Sequence, residues 1–448
     1  MADPIKVFEV EFDKHGDIFN ASQAEAALNA LSDGQATDLI VFVHGWNNDM
    51  AEARGLYQGF FAKLQEMRDK HHRPQLDARK FAGLAVLWPS KKFTDEELIP
   101  SGDAASAEPD TLDPVLEEQL DQLKEDPTRL GQSGQVGAAE AAALDRAKSL
   151  VSRLEDDEDA QRQFVKEIRS ILPRGGAHAE DGSDKFFSRD AVELLADLAQ
   201  PVIAPPPSGQ GGGALSVGDD AGTAAGQAAG LRDMFAGIKA GARRLLNFTT
   251  YYKMKERAGR VGSTGVADVL RQARARRPQI KLHLVGHSFG GRLVTAAADA
   301  LGPQISVDSL TLLQAAYSHN GLAEKFDGEN DGFFRAVMSK KKVRGPLVIT
   351  HTKNDKAVGI AYPLASRVSS DNSCMLGDAD DPYGGMGRNG AQHTPVDRNE
   401  QVLRAAGGRY SLKVGTVYNL NSDEFIQDHN DICKPEVAHI TLAAIGTT

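Results

Sequence analysis

Leu282-His283-Leu284-Val285-Gly286-His287-Ser288-Phe289-Gly290-Gly291 carries an apolar run straight into a Gly-x-Ser-x-Gly turn. Ile280 to Val285 reads as a buried parallel strand, and Arg292 to Ala298 continues as a helix of small residues able to pack closely on a sheet. A corner this sharp between strand and helix strains the backbone and leaves no space for a Cβ two residues to either side. Gly286 and Gly290 meet that need. Ser288, at the apex, is the candidate nucleophile.

About 240 positions earlier, Asp38-Leu39-Ile40-Val41-Phe42-Val43 is a continuous apolar run that ends in His44-Gly45-Trp46-Asn47-Asn48. It is too short for a membrane helix and rich in β-branched residues, so it reads as a central strand. Its His-Gly end lies where open α/β sheets place ligands. Acyl transfer needs backbone N–H donors aimed at the developing oxyanion, one from the residue after the nucleophile and one from the loop after an earlier strand. Phe289 and Trp46 hold those positions.

With these two motifs the chain resembles the serine esterase and lipase branch of the α/β-hydrolase superfamily, over roughly residues 36 to 90 and 245 to 445. The resemblance implies a doubly wound, mostly parallel sheet and a triad in the order serine, acid, histidine. Gly345 to Thr350 is a further apolar strand, followed by a polar loop with Asp355. His429 lies 74 residues beyond, after the strand-like Leu412 to Tyr418. Asp355 and His429 are therefore the candidate acid and base. Asp327 and Asp331, after the strand Leu310 to Ala316, are the alternative acids. His439 and His393 are the alternative bases. His44 and His287 flank the machinery and are expected to orient backbone; Asp431 is either a supporting hydrogen-bonding group or a turn residue.

The chemistry explains the residue types. A serine hydroxyl is a weak nucleophile until an imidazole removes its proton during attack. The imidazole in turn needs a carboxylate on its other nitrogen to fix its tautomer and stabilise its charged form. No cofactor or metal is needed, and an Asp378-Ala379-Asp380-Asp381 cluster lacks the regular ligand spacing of a calcium loop.

The 448 residues, 41% of them hydrophobic, can supply a sizeable core, and no run approaches a membrane span. The N-terminus lacks the hydrophobic segment of a secretory signal, so a cytoplasmic protein is the default, with signal-independent export left open. Cys374 and Cys433 allow a single disulfide without implying one. Residues 91–230 hold 28 Asp or Glu against 13 Lys or Arg, whereas the whole chain carries a net charge of only −11. Such an acidic segment repels phosphate backbones, which argues against nucleic acid as a partner.

The acidic segment separates two parts of the expected core, residues 1–90 and 231–448. Leu112 to Leu123, Ala138 to Leu154, Ala160 to Ile171 and Arg189 to Leu198 have helical period, while Pro201 to Gly230 reads as a Pro/Gly-rich linker. A cap of helices over the site and a solvated insertion with no part in catalysis both remain open. Ser22 and Glu25 stand at capping-box spacing. Met234 to Tyr252 reads as an aromatic helix, lining the acyl pocket or simply filling core. The expected activity is cleavage of small-molecule or lipid carboxylic esters; a phospholipase, a peptidase or amidase, and a non-enzymatic scaffold are the alternatives.

Overall fold

In the computed structural model, which describes residues 3–33, 35–45, 50–90, 112–125, 137–173, 177–199, 237–355 and 383–448, seven parallel strands form one sheet. They are β1 (Lys6–Glu11), β2 (Asp38–Val43), β3 (Phe81–Leu87), β4 (Lys281–His287), β5 (Ser309–Leu313), β6 (Leu347–His351) and β7 (Val417–Asn421), in the order β1-β3-β2-β4-β5-β6-β7. Every residue of β2 and β3 is buried, the expected consequence of sequences such as Asp38–Val43 that are apolar on both faces.

The helices are α1 (Ala21–Asp33), α2 (Met50–Lys70), α3 (Leu112–Lys124), α4 (Ala138–Lys148), α5 (Glu158–Ser170), α6 (Ser183–Ser188), α7 (Ala191–Ala199), α8 (Ile238–Arg260), α9 (Ala267–Arg276), α10 (Phe289–Ala300), α11 (Arg335–Ser339), α12 (Met386–Asn389) and α13 (Pro435–Gly446). Residues of α1, α8, α9 and α10 share one apolar core with one face of the sheet. Those of α2 and α13 share a second core with the other face. The sheet is thus doubly wound, as an α/β-hydrolase fold requires.

Chain order reverses at the middle of the sheet. The chain steps from β2 outward to β3, then returns to place β4 on the other side of β2, with Val43 level with Gly286. The ends of β2 and β4 therefore open a crevice at the switch point, where ligands bind in open α/β sheets.

Helices α3 to α7 build a large helical region with a core of its own, into which Leu245, Leu246, Phe248 and Tyr252 of α8 insert. Charge also ties this region to the sheet-bearing part. Lys255 of α8 pairs with the buried Asp181, the Ser318 hydroxyl donates to the Glu180 carbonyl at 3.0 Å, and the Phe333 N–H donates to the Glu180 carboxylate at 2.7 Å.

Local differences from the sequence reading have identifiable causes. Asn20, not Ser22, caps α1, because its side-chain oxygen accepts from the Ser22 and Gln23 N–H groups at 3.1 and 3.3 Å. The last strand starts at Val417, not Leu412. Gly415 there sits at φ +67°, and the Lys413 N–H donates to the Tyr418 hydroxyl at 2.7 Å, so the backbone before the strand is a turn. The helix expected over 138–154 ends at Lys148 and gives way to a short 3₁₀ turn, Val151–Arg153. The aromatic helix extends past Tyr252 to Arg260 and runs through a π-helical turn, Val261–Val266, into α9. The expected linker Pro201 to Gly230, the Asp378–Asp381 cluster and Cys374 lie outside the described residues.

Candidate active site

The backbone at Ser288 is forced into an unusual conformation, φ 56° and ψ −125°. A non-glycine residue there costs on the order of 1–3 kcal/mol, so the surroundings must impose it. They do. The Ser288 N–H donates to the Leu313 carbonyl at 3.0 Å, and its own carbonyl accepts from Gly291 and Ala316, each at 2.9 Å. A Cβ on Gly286 would lie 2.3 Å from the Gly290 carbonyl oxygen, and one on Gly290 would lie 2.2 Å from that of Val43. Both glycines are therefore required by close backbone approach.

Phe289 opens α10, and the first N–H groups of a helix point out of its end, where the helix dipole favours negative charge. Gly45 closes in from β2: a Cβ there would stand 2.6 Å from the Ser288 Cβ and 3.2 Å from its Oγ. Gly45 thus lies directly against the nucleophile position. Trp46, the expected second oxyanion donor, lies outside the described residues.

Two buried histidines hold this arrangement. His44 Nδ1 donates to the Gly45 carbonyl at 2.8 Å, and the ring stacks on Trp88, whose indole N–H donates to the His44 carbonyl at 3.1 Å. Burial lowers the His44 pKa to about 4, so the ring is neutral. His287 Nε2 donates to the His429 carbonyl at 2.7 Å, and burial keeps this ring neutral too. Each ring thus holds a backbone carbonyl next to the Ser288 turn.

His429 and Asp355, 74 residues apart in sequence, meet with Nδ1 and Oδ2 2.8 Å apart. The carboxylate is fully buried and the imidazole keeps a partly open edge. The His429 ring centroid lies 4.8 Å from that of His287, the residue before Ser288. The fold thus gathers the expected nucleophile, acid and base at the same end of β4, β6 and β7.

The alternatives lie elsewhere or are otherwise engaged. His439 Nε2 donates to the Gly408 carbonyl at 2.7 Å, and His393 Nδ1 pairs with the Asn320 side chain at 2.8 Å. Asp327 caps its own exposed loop, accepting from Glu329 and Asn330. Asp331 accepts from the Lys325 N–H. Asp431 is a turn residue, accepting from the Gln427 N–H and pairing with Lys434.

Sequence reasoning missed Asp423. Its Oδ1 accepts from the Thr352 hydroxyl at 2.8 Å and the Lys353 N–H at 2.9 Å, while the Asn354 side chain donates to the Ile426 carbonyl at 2.8 Å. These bonds tie the loop bearing Asp355 to the loop bearing His429. The only local signal is the polar run Asn421-Ser422-Asp423 after an apolar strand.

A second serine, histidine and aspartate set lies at the opposite end of the sheet. His283 Nδ1 accepts from the Ser309 hydroxyl at 2.7 Å and Nε2 contacts Asp38 Oδ1 at 2.9 Å. Arg79 binds the same carboxylate through Nε at 3.0 Å and through Nη2. All three members of the set are buried to within 1% exposure.

Neither curated proteins nor solved structures yield a match to the chain. Residues 171–353, which carry β4, the Ser288 turn, β5 and β6, match the family model of the alpha/beta hydrolase fold, and this supports a hydrolase of that type.

Proposed function

We propose that the chain is a serine hydrolase that cleaves carboxylic esters through an acyl-enzyme. The observation that carries this reading is the His429–Asp355 pair at 2.8 Å beside the strained Ser288 turn. In this mechanism the Ser288 Oγ attacks the ester carbonyl carbon as His429 Nε2 takes the hydroxyl proton. Asp355 holds Nδ1–H, fixing the tautomer, and stabilises the imidazolium. The carbonyl oxygen becomes an oxyanion, met by the N–H groups of Phe289 and Trp46. Collapse breaks the bond to the alkoxy oxygen, which leaves as an alcohol with the proton from His429. Water, deprotonated by the same imidazole, then attacks the acyl carbon, and the bond to Ser288 Oγ breaks as the imidazolium returns the proton to that oxygen and the acid leaves. No cofactor enters these steps.

Fluorophosphonate labelling tests the nucleophile: wild type should label and Ser288→Ala should not. Turnover of p-nitrophenyl butyrate against butyryl p-nitroanilide tests the leaving-group class. Absent labelling of wild type would exclude the reading, and faster anilide than ester cleavage would turn it toward an amidase.

A further inference from the structure

Residues 91–230 are acidic as a whole, and α5 sets three cations along one face. Arg162, Lys166 and Arg169 recur four and three residues apart, so they form one stripe along the helix, opposite the face on which Phe164, Val165 and Ile168 are buried. The stripe borders a cavity of about 390 Å³ that Ser170, Leu172 and Phe187 complete. None of these six residues belongs to the Ser288 site.

The walls are held in place. Arg169 donates through Nε to the Phe186 carbonyl and through Nη2 to the Arg189 carbonyl, each at 2.7 Å. Arg162 is steadied by Glu158 at 2.8 Å one turn earlier. Lys166 takes part in no ion pair among the described residues. Phe187 sits edge-on to Phe186 and Tyr252, with ring centroids 5.1 and 5.6 Å away, and Leu172 is buried beside it.

Glu158 and Asp159 offset the charge of Arg162, and Lys166, outside any ion pair among the described residues, supplies the positive charge that an anion at this face would meet. A cavity of this volume is in the range of small-molecule sites rather than of a bare ion, and its apolar side suits a hydrocarbon group. Arg162, Lys166 and Arg169 line one side of the cavity, and guanidinium and ammonium groups bind the several oxygens of a phosphate through charge-assisted hydrogen bonds. We propose that this cavity binds an organic phosphate, with the phosphate on Arg162, Lys166 and Arg169 and its apolar body against Phe187 and Leu172. The assignment does not rest on the ester-hydrolase reading.

Calorimetric titration of the full chain with octyl phosphate, inorganic phosphate and octyl glucoside tests it; octyl phosphate carries no carboxylic ester to be cleaved. Octyl phosphate should bind at one saturable site, inorganic phosphate at least about tenfold more weakly through loss of the apolar contact, and octyl glucoside not at all. In the double variant Arg162→Gln/Lys166→Gln, exposed positions that leave the fold intact by circular dichroism, octyl phosphate should bind at least about tenfold more weakly. Phe187→Ala should weaken octyl phosphate and spare inorganic phosphate. Absent saturation, equal binding by the double variant, or equal binding of octyl glucoside would overturn the proposal. Co-sedimentation with phosphatidylglycerol vesicles, lost in the double variant, would identify the phosphate as a lipid headgroup. Binding of octyl phosphate without co-sedimentation would identify it as a soluble amphiphile.

Discussion

Ser288, His429 and Asp355 at one end of the sheet and Ser309, His283 and Asp38 at the other use the same three residue types to opposite ends. In the lower set each residue lies on a strand, the serine keeps ordinary backbone geometry, and Arg79 neutralises the carboxylate from a fourth direction. Nothing can reach it. In the upper set each residue stands on a loop past a strand end, the serine is strained, and the imidazole retains an open edge. Side-chain chemistry alone therefore does not make a reactive serine. Position at the switch point, backbone strain and access to a second reactant separate a candidate nucleophile from a structural hydrogen bond.

The sharpest way to break that contrast is to remove the upper serine. Ser288→Ala should lower ester turnover by on the order of 10⁶, as expected for a triad nucleophile, while the melting temperature stays near or above that of wild type because the strained corner keeps its shape. Residual turnover within tenfold of wild type, measured with p-nitrophenyl butyrate, would dissolve the distinction between the two sets.

The lower set should answer in stability instead. Asp38→Ala strands Arg79 and His283 in the interior, and breaking a buried pair in this way costs about 3–5 kcal/mol. Burial alone would raise the Asp38 pKa, but hydrogen bonds from His283 and Arg79 hold it well below the usual carboxylate range. Burial likewise keeps His283 below 6.5. Both groups thus bind fewer protons folded than unfolded, so their stabilisation is lost as pH falls below about 6.5 for His283 and then below the ordinary carboxylate range for Asp38. Urea unfolding at pH 7, pH 4 and pH 2 should show that Asp38→Ala removes the part of the acid loss that appears below pH 4. A variant as stable as wild type would make the lower set ornamental.

How each set could be read from the sequence differs for physical reasons. The upper one was legible because reactive geometry leaves local marks: Gly286 and Gly290 stand at fixed offsets from Ser288, and a His-Gly pair ends an apolar strand. Asp355 and His429 were found through the serine, acid, histidine order that the family resemblance implies, each lying beyond an apolar strand. The lower set has no local mark at all. His283 and Asp38 sit within strands whose periodicity reads only as core, and their meeting depends on the register that puts Asp38 beside Lys281 and His283 beside Ser309. Asp423 was hidden for the same reason, as a polar turn residue whose partners, Thr352 and Lys353, are about 70 positions away. The Asn20 cap and the shift of β7 were missed because turn chemistry, through an Asn side chain and Gly415, displaced element ends by a few residues.

The third test addresses access. Alanine at Gly45 would push its Cβ to 2.6 Å from that of Ser288, so either the loop or the nucleophile must move. Loss of an oxyanion donor typically costs ~10²–10³ in rate, and Gly45→Ala should fall in that range, with a smaller loss of unfolding free energy, about 1 kcal/mol. A matching loss of stability would instead make Gly45 part of the core, like the lower set.

Glu180 sharpens the comparison from the side of the helical region, as a buried carboxylate that has His178 Nδ1 3.9 Å away and no Lys or Arg ion pair among the described residues. Burial, reinforced by the neighbouring negative charge of Asp181, raises its pKa to about 7. Its sign is opposite to that of Asp38: the folded state binds the proton more readily than the unfolded state. Its own contribution to stability is therefore greatest below about pH 4.5 and is lost as pH rises toward 7. Glu180→Gln, which keeps an acceptor for the Phe333 N–H, should stabilise the chain at pH 8 by up to about 3 kcal/mol and leave it little changed at pH 4.5. An identical dependence of unfolding free energy on pH in variant and wild type would mean that burial does not raise the Glu180 pKa.

The smallest effect belongs to the lower serine. Ser309→Ala deletes the hydroxyl that donates to His283 Nδ1 at 2.7 Å and leaves a buried acceptor unsatisfied, at a cost of about 1 kcal/mol. The Asp38–Arg79 contact survives, so the fold should persist and the remaining loss should appear only in the urea midpoint. Ester turnover per folded molecule should equal that of wild type, since Ser309 lies at the closed end of the sheet. A drop in turnover with an unchanged midpoint would reverse the roles assigned to the two serines, because it would mean that substrate or proton reaches the end of the sheet where every member of the set is buried.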